Sequence, residues 1–159
     1  MGKIIEDKQV QELIKIIASK KSVLVGGCFD IVHLGHIEFL EKAKKEGEVL
    51  IVLLESDENI KKSKGDSRPI NKLDDRAHFL SKLRDVDYVV KFPGIKNDGD
   101  YDELVRRINP SVIAITEGDK RIDNKKRQAE EVGAKLIEVS KLIPQQSSSQ
   151  IIETISKEE

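Results

Sequence analysis

The chain of 159 residues has one cysteine, three histidines and no apolar run near the ~18 residues of a membrane-spanning helix. One cysteine excludes an internal disulfide and fits a reducing, cytoplasmic setting. The start, Met1-Gly2-Lys3-Ile4-Ile5-Glu6-Asp7, is too polar and acidic for a signal peptide. With a formal net charge of −1, the chain also lacks an overall basic field for nucleic acid. Neither a nucleic acid nor a membrane is therefore expected as a partner. Repeats and low-complexity tracts are missing as well. The length suits a single domain with a full core, residues 1–159, with an N-terminal helix inside 1–20 and a core over 21–156.

The most informative stretch is Gly26-Gly27-Cys28-Phe29-Asp30-Ile31-Val32-His33-Leu34-Gly35-His36. It follows an apolar run, Ser22-Val23-Leu24-Val25, that reads as a buried strand. It precedes residues 37–44, whose apolar positions 37, 40 and 43 recur at helical spacing. A strand-to-helix turn at the start of an α/β chain is the result. Its two glycines allow close backbone approach to a ligand. If His33 enters the first turn of the helix, both imidazoles can point to one spot at the positive helix end, which suits an anion such as phosphate. Two of the three histidines of the chain fall at this mouth, and ligands of open α/β sheets bind at the carboxyl ends of strands. No Gly-Lys-Ser/Thr follows the glycines, so the turn is not a P-loop.

Strand and helix patterns alternate along the rest of the chain. An apolar stripe over about 7–19 predicts an amphipathic helix, and the run 49–54 a strand buried on both faces. Residues 61–70 read as a cationic loop. A helix is expected over 71–83 with Asn71 as its N-cap, then a strand over 86–90, a helix over 101–108, a strand over 112–115, a helix over 125–132 and a strand over 135–139. Pro144-Gln145-Gln146-Ser147-Ser148-Ser149 reads as a polar turn before a last helix, 150–155. The alternation predicts a parallel five-stranded α/β sheet with helices on both faces.

The turn sequence resembles the signature of the cytidylyltransferase-like nucleotidyltransferases, whose mark is His-x-Gly-His, here His33-Leu34-Gly35-His36. Several stretches look most like the heptose-1-phosphate adenylyltransferase group within that family. They include Glu55-Ser56-Asp57, Lys64-Gly65-Asp66-Ser67-Arg68-Pro69-Ile70, Leu73-Asp74-Asp75-Arg76 and Asp87-Tyr88-Val89-Val90. Where that group usually has Lys-Gly-Gly-Asp, this chain has Thr116-Glu117-Gly118-Asp119. The resemblance implies a Rossmann-like sheet. It also implies transfer of a nucleoside monophosphate from ATP or CTP to a phosphorylated small molecule, with Mg²⁺ accompanying the triphosphate and pyrophosphate released. A sugar phosphate is the expected acceptor and ATP the expected donor. A CTP-dependent enzyme using glycerol phosphate, an FAD synthetase-like enzyme and a nucleotide-binding regulatory module are the alternatives. A homodimer is compatible with all of them.

Such a transfer needs positioning and charge stabilisation more than base catalysis, because the acceptor phosphate is already a nucleophile. His33 and His36 are expected to donate hydrogen bonds to phosphate oxygens, and Lys64 and Arg68 to grip acceptor or triphosphate. Nucleotide contacts are expected from Gly26, Gly27, Cys28, Phe29, Asp30 and Gly35, from Glu117, Gly118 and Asp119, and from Ser147, Ser148 and Ser149 at the last helix start. Gly26 and Gly27 are read as keeping side chains out of the nucleotide's path, and Asp30 as able to approach Mg²⁺ through water. No dedicated metal ligand is assigned. His78 is expected to be structural or a surface residue.

Overall fold

The structure, a computed structural model, describes residues 2–141 and 147–158. The expected turn residues Pro144, Gln145 and Gln146 lie outside them. The elements follow in the order β1 (Lys3–Ile5), a 3-10 turn (Asp7–Gln9), α1 (Val10–Ile17), β2 (Ser22–Gly27), α2 (Leu34–Lys44), β3 (Val49–Leu54), α3 (Asp57–Lys64), α4 (Leu73–Ser81), β4 (Tyr88–Lys91), α5 (Asp98–Ile108), β5 (Val112–Thr116), α6 (Ile122–Val132), β6 (Lys135–Ser140) and α7 (Ser148–Lys157). All strand pairs are parallel, in the order β1-β4-β3-β2-β5-β6. The expected α/β class holds, with six strands rather than five. The additional strand, β1, is three residues long, too short to show a period of two. It is recruited to the sheet edge by its pairing with Tyr88–Val90 and by the Lys3 N–H bond to Asp87 O, 2.8 Å.

β3 explains why both faces are covered. All six of its residues, Val49 to Leu54, are buried. Leu50, Val52 and Leu54 pack with Phe39, Leu40 and Ala43 of α2 and with Leu73, Ala77 and Leu80 of α4. Val49, Ile51 and Leu53 pack with Leu13 and Ile17 of α1 and with Leu104, Val105 and Ile108 of α5. A strand with alternate side chains in two cores gains burial on both, about 1.5–3 kcal/mol for each Val, Leu or Ile. That is the physical content of a continuous apolar run.

From β2 the chain steps outward to β3 and β4, then returns to place β5 on the other side of β2. The carboxyl ends of β2 and β5 therefore border the switch point, where open α/β sheets hold ligands. Two expected boundaries move here. Residues 61–64 close helix α3 instead of forming loop. Ser56 caps α3 (Oγ to Asn59 N–H, 3.2 Å), Gly65 ends it at φ 98°, and its one buried apolar side chain is Ile60. One apolar anchor in eight residues leaves no helical period to read. The N-cap of α4 is Lys72, because Asn71 is used elsewhere: its side-chain amide donates to Asp30 O (2.6 Å) and its N–H to Asp30 Oδ1 (2.8 Å).

Packing requires a glycine at position 26 and leaves little room for a side chain at Gly27. A Cβ on Gly26 would stand 1.8 Å from the Tyr101 hydroxyl of α5, and one on Gly27 3.1 Å from the Phe29 ring. These glycines border the ligand space and also let Tyr101 and Phe29 close against the strand. Gly26→Ala is expected to destabilise the protein by about 1–3 kcal/mol through overpacking. Tyr101→Phe in the same chain should restore part of the loss, since it removes the closest atom. Denaturant melts of the single and double variants check this, and an additive double variant would be the contrary result.

Candidate active site

The carboxyl edge of the sheet opens into a crevice of about 630 Å³ lined by the ends of β2, β3 and β5 and the starts of α2, α5, α6 and α7. Gly26, Gly27, Cys28, Phe29, Gly35, His33, His36 and Lys64 line it, as do Asp119 and Ser147, Ser148 and Ser149. Residues scattered over 120 positions are thereby brought to one place. Among the expected contacts, Asp30, Arg68, Glu117 and Gly118 do not belong to this lining.

His33 sits at the N-cap of α2 rather than inside its first turn, and His36 occupies the third helical position. The pair forms a capping box built from imidazoles. His33 Nδ1 accepts the Gly35 N–H (3.1 Å), and His36 Nδ1 accepts the His33 N–H (3.3 Å). The rings lie side by side, centroids 3.9 Å apart and tilted by 31°. An imidazole whose Nδ1 accepts carries its proton on Nε2 when neutral. Burial lowers the pKa of His33. Burial, the neighbouring His33 and the Lys64 ammonium lower that of His36 to about 4. At neutral pH both rings are thus uncharged Nε2–H donors in fixed orientations.

Phe29 gives the turn its shape. It is buried, adopts φ 47°, and stacks its ring 5.1 Å from that of His36. A left-handed aromatic residue is strained, and persists where its surroundings over-determine it. Two buried arginines do so. Arg76, 1% exposed, donates from Nη1 to Cys28 O (2.7 Å) and Glu55 O (3.0 Å), from Nε to Asn71 O (3.0 Å) and from Nη2 to Asp57 Oδ1 (2.7 Å). It ties the ends of β2 and β3 to the starts of α3 and α4. Arg68 donates from Nε to Asp30 Oδ2 (2.8 Å) and from Nη1 to Ser149 Oγ (3.3 Å).

Asp30 and Arg68 therefore have positions other than those expected. Asp30 is 2% exposed, and its carboxylate also accepts the N–H groups of Ile70 and Asn71, 2.8 Å each. Burial would raise its pKa, but those two N–H groups and the Arg68 guanidinium outweigh burial and hold it below the usual value. With both oxygens occupied inside the fold, Asp30 organises the turn and has no face for a hydrated metal. Arg68, 7% exposed, reaches the start of α7 through Ser149, and its Nη2 is buried without a hydrogen-bond partner among the described residues. Among the described residues no group of three or more acidic, histidine or cysteine side chains could hold a metal ion.

Lys64, the last residue of α3, is exposed and lies 3.2 Å from Cys28 Sγ. Ser147 caps α7 by accepting the Gln150 N–H (3.1 Å), and Ser148 Oγ donates to Ile31 O (2.9 Å). The N-termini of α2 and α7 thus both border the turn that follows Gly26-Gly27, and Lys64 lies beside it. Glu117 is exposed, its N–H bonds Ser140 O (2.8 Å), and it is not among the residues lining the crevice. His78 is exposed on α4. Sequence reasoning missed Arg76 as a support and Glu55, Tyr101 and Arg121 as lining. Glu55-Ser56-Asp57 and Leu73-Asp74-Asp75-Arg76 did carry a signal, in their match to the family.

The fold is thus a doubly wound parallel sheet with two helix N-termini and paired neutral histidines beside its switch point, where open α/β sheets hold ligands. The profile of the cytidylyltransferase-like family matches residues 24–154, and the chain belongs to that family. It is similar to the bifunctional protein HldE of Helicobacter hepaticus, 40% identical over 156 residues, which cover 98% of this chain and 31% of that protein. The HldE of Aliarcobacter butzleri is 46% identical over 111 residues, 67% of this chain and 22% of that protein. The chain spans about a fifth to a third of the length of such curated relatives. Among solved structures it is similar to a lipopolysaccharide core biosynthesis protein of Thermoplasma volcanium, with a TM-score of 0.63, 25% identity, and coverage of 79% of this chain and 98% of that one. A pantoate-beta-alanine ligase of Francisella tularensis shares the fold, at TM-score 0.64 and 17% identity over 99% of this chain and 77% of that one. No helix among the described residues is long and apolar enough to cross a membrane.

Proposed function

We propose that this chain is a nucleotidyltransferase that moves a nucleoside monophosphate, AMP from ATP, onto a small phosphorylated acceptor such as a sugar phosphate. An acceptor phosphate oxygen forms a bond to the α-phosphorus. The bond from that phosphorus to the bridging oxygen breaks, and its electron pair leaves with pyrophosphate. The observation that carries the reading is the pair of neutral imidazoles at the N-terminus of α2, with both Nδ1 atoms occupied by backbone N–H groups. Their Nε2–H groups supply hydrogen bonds to phosphate oxygens as charge moves toward the leaving group, without a proton transfer. Lys64 adds a point charge, and the start of α7 adds N–H groups for the β- and γ-phosphates. Mg²⁺, when bound, rides on the triphosphate and neutralises part of its charge.

Pyrophosphate release tests the reading, with ATP and CTP each offered with Mg²⁺ against sugar 1-phosphates, glycerol phosphate and FMN. ATP with a sugar phosphate is expected to turn over fastest. CTP preference would move the chain to the cytidylyl branch of the same chemistry. Nucleotide binding without pyrophosphate release on any acceptor would make it a regulatory module.

A further inference from the structure

Arg68 is not part of the crevice lining, yet its guanidinium touches a residue that is. Its Nε lies 2.8 Å from Asp30 Oδ2, with 7% of the Arg68 side chain and none of the Asp30 side chain exposed. Nη1 lies 3.3 Å from Ser149 Oγ, and Nη2 is buried with no hydrogen-bond partner among the described residues. The guanidinium is fixed in place because its anchor is itself held. The Asp30 carboxylate accepts the Ile70 and Asn71 N–H groups, and the Asp30 carbonyl accepts the Asn71 side-chain amide at 2.6 Å.

α7 has far weaker holds of its own. Ser148 is its one buried residue among those described. Ile151 and Ile152 are half-buried and Ile155 is 56% exposed, so its apolar side chains do little to fix it. Its first turn is tied to the rest of the fold by Ser148 Oγ, which donates to Ile31 O at 2.9 Å, and by Ser149 Oγ, which accepts from Arg68. Both ties lead to the turn between β2 and α2, to Ile31 directly and to Asp30 through Arg68. Ser148 and Ser149 face the crevice as lining, so whatever sets their place also shapes the site.

From this asymmetry we propose that Arg68 is a positioning residue, which fixes the first turn of α7 relative to the histidine turn and acts on the nucleotide only through α7. The inference rests on the transfer reading above, in which the start of α7 holds the β- and γ-phosphates. A helix N-terminus stabilises a phosphate only where its N–H groups already point, and preorganising them is the task of a rigid support. The planar guanidinium supplies that support from one anchored end, without entering the site. A lysine in its place keeps a charge beside Asp30 but lacks the second arm toward Ser149. The unused Nη2 argues the same way. A residue retained for stability alone gains nothing from a buried donor without an acceptor.

Titration calorimetry of Arg68→Lys, Ser149→Ala and the double variant, with ATP and Mg²⁺ and separately with AMP, tests the role. Lysine keeps the ion pair with Asp30 and Ser149 is exposed, so each protein is expected to melt within about 4 °C of wild type. Arg68→Lys is expected to raise Kd for ATP at least about tenfold, the scale of one lost hydrogen bond to a charged group, and to leave Kd for AMP within about twofold. AMP lacks the phosphates that α7 holds, whereas a disturbed histidine turn weakens AMP and ATP alike. Equal losses for the two ligands would therefore make Arg68 a structural residue and overturn the proposal, as would an unchanged Kd for ATP. The double variant is expected to bind ATP no more weakly than the weaker single variant, because both substitutions cut one link. Additive losses would mean that Arg68 reaches the phosphates itself, and would overturn the positioning role. Failure of Arg68→Lys to fold, with Ser149→Ala binding ATP like wild type, would do the same. Wild-type protein that binds ATP no more tightly than AMP overturns this inference, whereas wild-type protein that binds ATP tightly and releases no pyrophosphate with any acceptor overturns the transfer reading alone.

Discussion

His33→Asn is expected to lower turnover by about 10²–10³-fold while leaving thermal stability close to wild type. The two effects separate because His33 has two tasks carried by different atoms. Its Nδ1 caps α2 by accepting the Gly35 N–H, and asparagine is among the best residues for that task. Its Nε2–H faces the crevice and has no counterpart in asparagine. His33→Ala loses both, and should add about 0.5–2 kcal/mol of destabilisation to the same catalytic loss. If His33→Asn turns over like wild type, the imidazole is only a cap. The donor model also requires neutral rings. His36, held to a pKa of about 4 by burial, His33 and Lys64, stays neutral where an unfolded histidine, at 6.5, is already charged. The unfolded state then binds more protons between those values, so this residue's contribution to stability falls as pH drops from 6.5 toward 4 and levels off below. Histidine ring signals followed by NMR should show His36 untitrated until close to pH 4. A midpoint near 6.5 would remove the neutral donor.

Arg76→Ala is expected to be the most destabilising change near the site, about 3–5 kcal/mol, with loss of nucleotide binding in whatever fraction stays folded. The side chain is fully buried and its guanidinium satisfies the carbonyls of Cys28, Glu55 and Asn71 together with Asp57. Truncation leaves three carbonyls without their donor and a cavity between β2, β3 and α4, and breaking a buried charged network has costs on this scale. Arg76→Lys keeps the charge but cannot reproduce a planar fork reaching four groups, so it should recover less than half of the loss. Urea denaturation measures both. A variant within about 1 kcal/mol of wild type would mean that the turn does not depend on this arginine.

The positions of the three supporting residues show which kinds of information were local. Arg68 reads as a loop cation facing a ligand, because charge alone favours solvent, and Arg76 enters only in the match of Leu73-Asp74-Asp75-Arg76 to the family. Their burial depends on carbonyls, two carboxylates and a hydroxyl from segments 5 to 81 residues away. Asp30 looked available for a metal for the same reason. Nothing in its neighbours along the chain announces that Ile70, Asn71 and Arg68 will occupy both of its oxygens. Asn71 failed as a cap prediction because the same turn competes for its groups. β1 and α3 were missed because three residues and a single buried isoleucine contain too little period to detect.

Local pattern did determine the alternation of strands and helices, since burial on two faces, or along one stripe, imposes a period that the residues must carry themselves. It also determined the histidine turn, because a strand end, two glycines and a helix start within eleven residues leave few other geometries, and that turn does line the crevice. Tertiary structure alone decided strand order and the switch point, which depend on crossovers that no segment encodes. It alone decided the tautomers of His33 and His36, which follow from backbone N–H groups meeting Nδ1 in three dimensions. And it alone brought together Glu55, Asp98 and Arg121, which become partners only because β3 ends, and α5 and α6 begin, at the same edge of one sheet.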